Sequence, residues 1–423
     1  FMNKYKKEIL SNKIPLITVP ISGAKTATVL VMVKTGSKYE NRKNNGISHF
    51  LEHMFFKGTK KRPDTLALSS ELDSLGGEYN AFTSKEYTGY WVKAGSEQVA
   101  KALDIVSDML TNSLFLEEEI EREKGVIIEE LNMYEDNPLM HIEDVFESCL
   151  YGDTPAGWET IGTKDNIRGF HKRDFVSYYN SQYGAASLKI VLAGQIKEKD
   201  RKLAVDIFSR IGRNSWRDKT AVKEKQKSSA ILASFKKTDQ LTMSLGVRSF
   251  PIGHKQEFQA KLLSVILGGS MSSRLFINLR ERNGLAYYVR TMSEVYSDSG
   301  YLTTQAGIPA DKAAAASKII LSEYKRLTEE LVSEEELRRA KDLIKGRMLM
   351  QMESSDNIAN WYARQLVSRQ QILSPEDYLN RLEKISAKDL RATALEIFQE
   401  KNLNLAAIGP LSNKDLRGLL KLK

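Results

Sequence analysis

In the run Gly46-Ile47-Ser48-His49-Phe50-Leu51-Glu52-His53-Met54, two histidines and a glutamate stand at a spacing that can do chemistry. No proline interrupts the stretch and Gly58 offers a stop just beyond it, so the spacing predicts a helix. On a helix, residues four apart stack on one face, which brings His49 and His53 to bear on one point. Two neutral imidazoles so placed make half of a zinc site. Glu52, beside them and not itself a ligand, is placed as a base for zinc-bound water. The order is H-x-x-E-H, the reverse of the commoner H-E-x-x-H. The chain has 5 histidines in 423 residues, so chance would give this pentad in roughly one such chain in a few hundred. Phe50, Leu51, Met54 and Phe55 leave the helix little solvent-facing surface, which argues against two merely solvated histidines.

A site with two protein ligands is incomplete, and the third is sought further along. Leu116, Ile120, Ile127 and Tyr134 fall on one helical stripe, and Glu123 and Glu130 share it. Glu118, Arg122, Glu129 and Asn132 fall on a polar stripe instead. A carboxylate on an apolar face is costly unless it is paired, protonated or bound to a metal. Adjacent residues diverge by about 100° on a helix, so Glu129 and Glu130 cannot both face one ion. Glu130 is therefore the expected third ligand and Glu123 an acidic neighbour on the same side. The bland alternative is two rim glutamates that snorkel to solvent.

The elements that must position these residues follow from periodicity. Ile14–Val19 and Ala27–Val33 read as strands before the histidine helix, and a second helix through Leu66–Leu75 ends at Gly76-Gly77. Residues 78–84 and 87–94 read as a strand pair, 96–110 as a helix, and 187–194 as a buried strand. The second half then repeats this grammar. Residues 299–307 echo 88–95, 334–341 echo 117–124, and 403–409 echo the strand ending at Gly194. The offset wanders, as expected for two copies of one domain and not a solenoid. The expected division is 1–212, a polar linker at 213–228, and 229–423. The second copy has no H-x-x-E-H and no carboxylates matching Glu123 and Glu130.

Composition sets the outer bounds. Hydrophobic residues at 41% and charged residues at 28% describe a globular chain, with no apolar run long enough to span a membrane. The net charge of +9 is dispersed through mixed-sign segments, which excludes a nucleic-acid stripe. Phe1–Lys7 lacks the apolar core of a secretory signal, and Cys149 is the single cysteine, so the expected location is cytoplasmic.

Three segments, H-F-L-E-H-M-F-F-K-G-T, G-G-E-Y-N-A-F-T-S and E-R-E-K-G-V-I-I-E-E, resemble the pitrilysin/insulysin family of zinc metallopeptidases, the inverzincins. Within the family, the chain resembles the bacterial relatives of the mitochondrial processing peptidase β subunit. The resemblance covers nearly the whole chain. It implies an α+β protein of two homologous α/β-sandwich domains, of the mitochondrial-processing-peptidase-like metallohydrolase fold, in a clamshell. It implies one Zn2+ per chain on His49, His53 and Glu130, with Glu123 behind them and Glu52 as the base. The stretch Ser273–Tyr287 matches the family's C-terminal pattern, in which an arginine and a tyrosine, here Arg280 and Tyr287, hold the substrate backbone. The segment Gly77–Ser84 would offer a strand edge to the peptide, with Asn80 and Ala81 nearest the scissile bond and Phe82 also binding substrate. The implied activity is an endopeptidase for extended or unfolded peptides inside a closed chamber, working as a homodimer. The alternatives are a non-catalytic structural subunit and one half of an obligate heterodimer.

Overall fold

The computed structural model describes residues 5–214 and 216–422. Its first sheet contains β1 (Lys6–Ile9), β2 (Pro15–Pro20), β3 (Thr26–Val33), β4 (Glu78–Thr83), β5 (Thr88–Gly95) and β6 (Leu188–Gly194). They lie in the order β1-β2-β6-β3-β5-β4, which leaves β4 on an edge. The centre of the sheet is covered on both faces, so all of Ala27–Val33 in β3 is buried and every residue but Thr28 is apolar. The second sheet holds β7 (Ala230–Phe235), β8 (Gln240–Ser249), β9 (Tyr288–Val295), β10 (Gly300–Pro309) and β11 (Leu403–Gly409), in the order β7-β11-β8-β10-β9.

That order repeats β2-β6-β3-β5-β4 strand for strand. The pairs β2–β6 and β7–β11 are parallel, and the neighbours that follow in each sheet are antiparallel. The echoes between residues 88–95 and 299–307, and between the strands ending at Gly194 and Gly409, therefore mark equivalent positions in two copies of one mixed α/β fold.

Between the strands of the first copy run α1 (Ile47–Met54), α2 (Thr65–Asp73), α3 (Val99–Asn112) and α4 (Glu117–Asp136), with α5 (Pro138–Tyr151) following. The chain divides into two compact units, neither of them a continuous stretch. One takes the residues up to Asn132, Glu159–Thr220 and Met348–Leu373; the other takes Met133–Trp158, Ala221–Arg347 and the residues from Ser374 onward. Residues 213–214 and 216–228 form no helix or strand. Each sheet takes one covering helix from the far side of that stretch. In the first unit, Ile358, Ala359, Tyr362, Ala363 and Val367 of the helix Ser355–Ser368 pack on Ile17, Val19, Leu30, Met32 and Val191. In the second, Ile142, Val145, Phe146 and Leu150 of α5 pack on Tyr301, Ala406 and Ile408. Each large apolar side chain so buried contributes about 1.5–3 kcal/mol.

Candidate metal centre

α1 is short, and its sequence says why it holds together. Phe50, Leu51 and Met54 are buried, Phe50 meeting Phe175 at 4.8 Å between ring centroids. Just past the helix, Phe55 is inserted among Tyr90, Phe115 and Tyr183. That apolar side anchors the helix to the sheet and to its neighbours. The remaining face carries His49, Glu52 and His53, all partly buried.

α4 supplies the carboxylates at the heights the stripe requires. His49 Nε2 lies 3.6 Å from Glu130 Oε1, and His53 Nε2 lies 3.4 Å from Glu130 Oε2. One ligand atom from each of the three lies within 4.8 Å of the others, a donor set of two imidazoles and a carboxylate that fits one metal ion. Glu129, one residue away, is exposed and faces Asn132. Glu123 is buried behind the pair: its Oε1 is 2.9 Å from His53 Nδ1 and its Oε2 is 2.6 Å from Lys57 Nζ. With Nδ1 held by that carboxylate, Nε2 of His53 is the nitrogen left to face Glu130 and an ion. His49 Nδ1 is buried with no hydrogen-bond partner.

The charges of these residues are strongly coupled. Glu130 is held well below the usual carboxylate range by its contacts with His49 and His53. Burial alone would lower the His53 pKa, yet Glu123 and Glu130 together raise it to about 9. Burial likewise pushes Glu123 up, but His53 and Lys57 pull it down further. These residues would hold a metal ion only with His53 neutral, so binding one would displace the proton that the two carboxylates favour there.

Glu52 stands beside this group in a different environment. Burial raises its pKa, against the opposing hydrogen bond from Thr83 and the nearby imidazoles. Thr83 Oγ1 donates to Glu52 Oε2 at 2.5 Å, and Thr83 is the last residue of the edge strand β4. A carboxylate fixed through one oxygen and shifted toward neutrality is suited to move protons.

Of the residues expected near a peptide, Asn80 is exposed on the β4 edge, and its Oδ1 accepts the backbone N–H of Ala81 at 2.8 Å. Phe82 alternates to the opposite face from Thr83, its ring covering Gly89 and packing beside the core under the helix Ser355–Ser368. The structure thus brings the Asn80 side chain and the Ala81 backbone to the edge and turns the Phe82 ring away from Glu52. In the second unit, Arg280 lies in a π-helical segment, Phe276–Arg282. Its guanidinium sits 4.9 Å from the Phe276 ring centroid and 5.4 Å from that of Tyr287, which is 80% exposed. Among the described residues, the second copy has no equivalent of the first site. On the helix Glu334–Gln351, the positions matching Glu123 and Glu130 are Ala340, which is buried, and Arg347, which donates to Gly269 O at 2.9 Å.

Sequence reasoning missed three contributors: Lys57, Thr83 and Glu40, whose carboxylate caps α1 through the N–H groups of Gly46 and Ser48. Thr83 had a readable signal, since strand alternation puts it on the same face as Ala81. Glu40 had none, because it precedes the helix it serves by several residues.

Both halves of the chain match known proteins. The family description "Insulinase (Peptidase family M16)" matches residues 17–164, and "Peptidase M16 inactive domain" matches residues 170–344. A Rickettsia felis protein named an uncharacterized zinc protease is 34% identical over 97% of this chain and 98% of its own. A Bacillus subtilis protein of like name is 32% identical over 96% of this chain and 99% of its own. The mouse mitochondrial-processing peptidase subunit beta is 30% identical over 92% of this chain and 81% of its own. In fold, the crystal structure of a protease from Helicobacter pylori superimposes with a TM-score of 0.90 at 24% identity, over 97% of this chain and 100% of that one.

Proposed function

The chain belongs to the insulinase-like peptidase family M16, and from that premise we propose that it is a zinc endopeptidase for extended or unfolded peptides. The observation that carries the reading is the convergence of His49, His53 and Glu130 beside a carboxylate, Glu52, that is partly buried, raised in pKa and held by Thr83.

His49, His53 and Glu130 would hold one zinc ion, and Glu123 with Lys57 behind it would keep His53 in the right tautomer. Zinc, when bound, supplies the Lewis acidity that lowers the pKa of water and polarises a peptide carbonyl. Glu52 takes the proton of the attacking water and delivers it to the leaving amine. Because Thr83 occupies Oε2, Oε1 is the oxygen assigned to the proton. The peptide adds as a strand to the edge of β4, and the Asn80 side chain gives up the Ala81 N–H to a peptide carbonyl. Arg280 and Tyr287, exposed and stacked on one another, hold further carbonyls without reading side chains. The absence of matching carboxylates at Ala340 and Arg347 supports a division of labour between the copies. One chain then carries both the metal residues and the substrate-holding pair, so the assembly proposed is a homodimer and not a heterodimer.

The test uses the purified chain loaded with zinc and a panel of unstructured peptides. Hydrolysis that a chelator abolishes and zinc restores is the expected result, with Glu52→Gln folded, zinc-loaded and inactive. No hydrolysis of any peptide by the zinc-loaded protein would end the enzyme reading, and full turnover by Glu52→Gln would move the base elsewhere.

A further inference from the structure

α1 starts without a cap of its own. The residue before it, Gly46, sits in the left-handed region at φ 100° and has no side chain to accept a hydrogen bond. A capping serine or aspartate is not an option there, because a Cβ would come 2.6 Å from Ile161 O. The open N–H groups of the first turn are met from outside instead. Glu40 Oε2 accepts from Gly46 N–H at 2.8 Å, and Oε1 accepts from Ser48 N–H at 2.8 Å. Asn45 Nδ2 adds a third bond to Oε2 at 3.0 Å and is itself tied to Glu159 O at 3.0 Å. Ser48 is fixed from its other side, its Oγ 2.7 Å from Tyr178 OH, which in turn lies 2.9 Å from Thr35 Oγ1.

Glu40 is 5% exposed and pairs with no lysine or arginine among the described residues. A buried carboxylate without a cation is an expensive way to cap a helix, since a neutral hydroxyl or amide can do the same. The difference lies in what α1 carries. His49 is its third residue, so a dication there would sit against the positive end of the helix dipole. A carboxylate clamped on the first turn offsets that end. It also fixes the rotation and height of a helix whose other ligand, His53, lies about 7.5 Å beyond Ser48 at the helical rise.

We propose that Glu40 is a positioning residue for the metal centre: it clamps the first turn of α1 and thereby sets the approach of His49 and His53 to Glu130. The proposal rests on the metal reading of the preceding subsection. It says nothing new about the chemistry of Glu52.

Zinc affinity measured by competition with a chromophoric chelator tests it, alongside thermal melts of the metal-free proteins. Folded Glu40→Gln is expected to bind zinc about tenfold or more weakly, with Glu40→Asp in between. The control is Ser386→Ala, which removes the N-cap of the helix Ala387–Ile397 and should lower the melting temperature without moving zinc affinity. Wild-type affinity in folded Glu40→Gln would overturn the proposal and leave Glu40 a plain cap. If Glu40→Gln does not fold, Glu40→Asp decides: weakened zinc binding in the folded variant supports the clamp, and unchanged binding overturns it. A wild-type chain that binds zinc but cleaves no peptide would sink the peptidase reading and leave this one standing. A wild-type chain that binds no zinc would overturn both.

Discussion

Replacing Glu123 by Gln tests the shell behind the candidate metal centre. The change keeps volume and removes one negative charge that now serves two partners, His53 Nδ1 at 2.9 Å and Lys57 Nζ at 2.6 Å. A partner that orients a ligating histidine is typically worth 10- to 100-fold in metal affinity, or about 1.4–2.7 kcal/mol. Stability should suffer less, because Lys57 is 22% exposed and its ammonium can turn to water. We expect about 1–2 kcal/mol, below the 3–5 kcal/mol of a fully buried pair. Lys57→Met removes the other partner and should invert the pattern. The Glu123 side chain, 4% exposed, keeps its bond to His53 but loses its cation. The cost then falls mainly on folding, at about 3 kcal/mol, while zinc affinity changes by less than in Glu123→Gln. Chelator competition and denaturant titration of the two variants give all four numbers. If Lys57→Met weakened zinc binding more than Glu123→Gln, or if Glu123→Gln left affinity untouched, the assignment of roles behind His53 would be wrong.

Two further outcomes follow from single contacts. Glu130→Gln should abolish stoichiometric zinc binding in metal analysis of the dialysed protein, while Glu129→Gln, whose side chain is exposed on the next face of α4, should keep it; the reverse would break the argument from the apolar stripe. Lys189 on β6 is pulled down from its usual 10.5 to about 8 by burial and by the neighbouring Lys34 and Lys7. Its folded pKa lies below its unfolded one, so the unfolded chain binds more protons between those values and stability rises with pH across that window. Below pH 8 the full cost applies, so Lys189→Met should raise stability at pH 7 by about 1–2 kcal/mol, after the loss of its bonds to Ala186 O and Leu188 O, and should flatten the rise at alkaline pH; an unchanged pH profile in thermal melts would refute it.

How much of this was legible depends on how far each contact reaches along the chain. His49, Glu52 and His53 could be read because helical spacing puts them on one face, and Glu130 because a carboxylate on an apolar stripe needs a reason to be there. The duplication could be read because β5 and β10, β6 and β11, and α4 and the helix Glu334–Gln351 keep residue patterns that echo one another. What escaped was non-local. Nothing in the sequence of the helix Ser355–Ser368 says that Tyr362 and Ala363 pack on Ile17 and Leu30, since an apolar stripe declares that it is buried and not against which sheet. Phe82 read as an edge residue near the peptide, and strand alternation turns its ring over Gly89 instead. Glu40 was silent for the same reason, its partners being backbone N–H groups that carry no side-chain signature.

The two copies also show why one could lose what the other keeps. In the first, Glu123 and Glu130 sit on a helical face that would be costly to bury uncompensated, and the cost is met by His53, His49 and Lys57. In the second, the same face carries the buried Ala340 and the exposed Arg347, which donates to Gly269 O and is otherwise open to water. Neither arrangement alters the strand order of its sheet, because the ligand-bearing face is not the one that holds the strands together. The strand order therefore places no demand on these side chains. Under the proposed metal reading, their presence in the first copy, with the carboxylate of Glu40 at the head of α1 and the hydroxyl of Thr83 on Glu52, answers to chemistry.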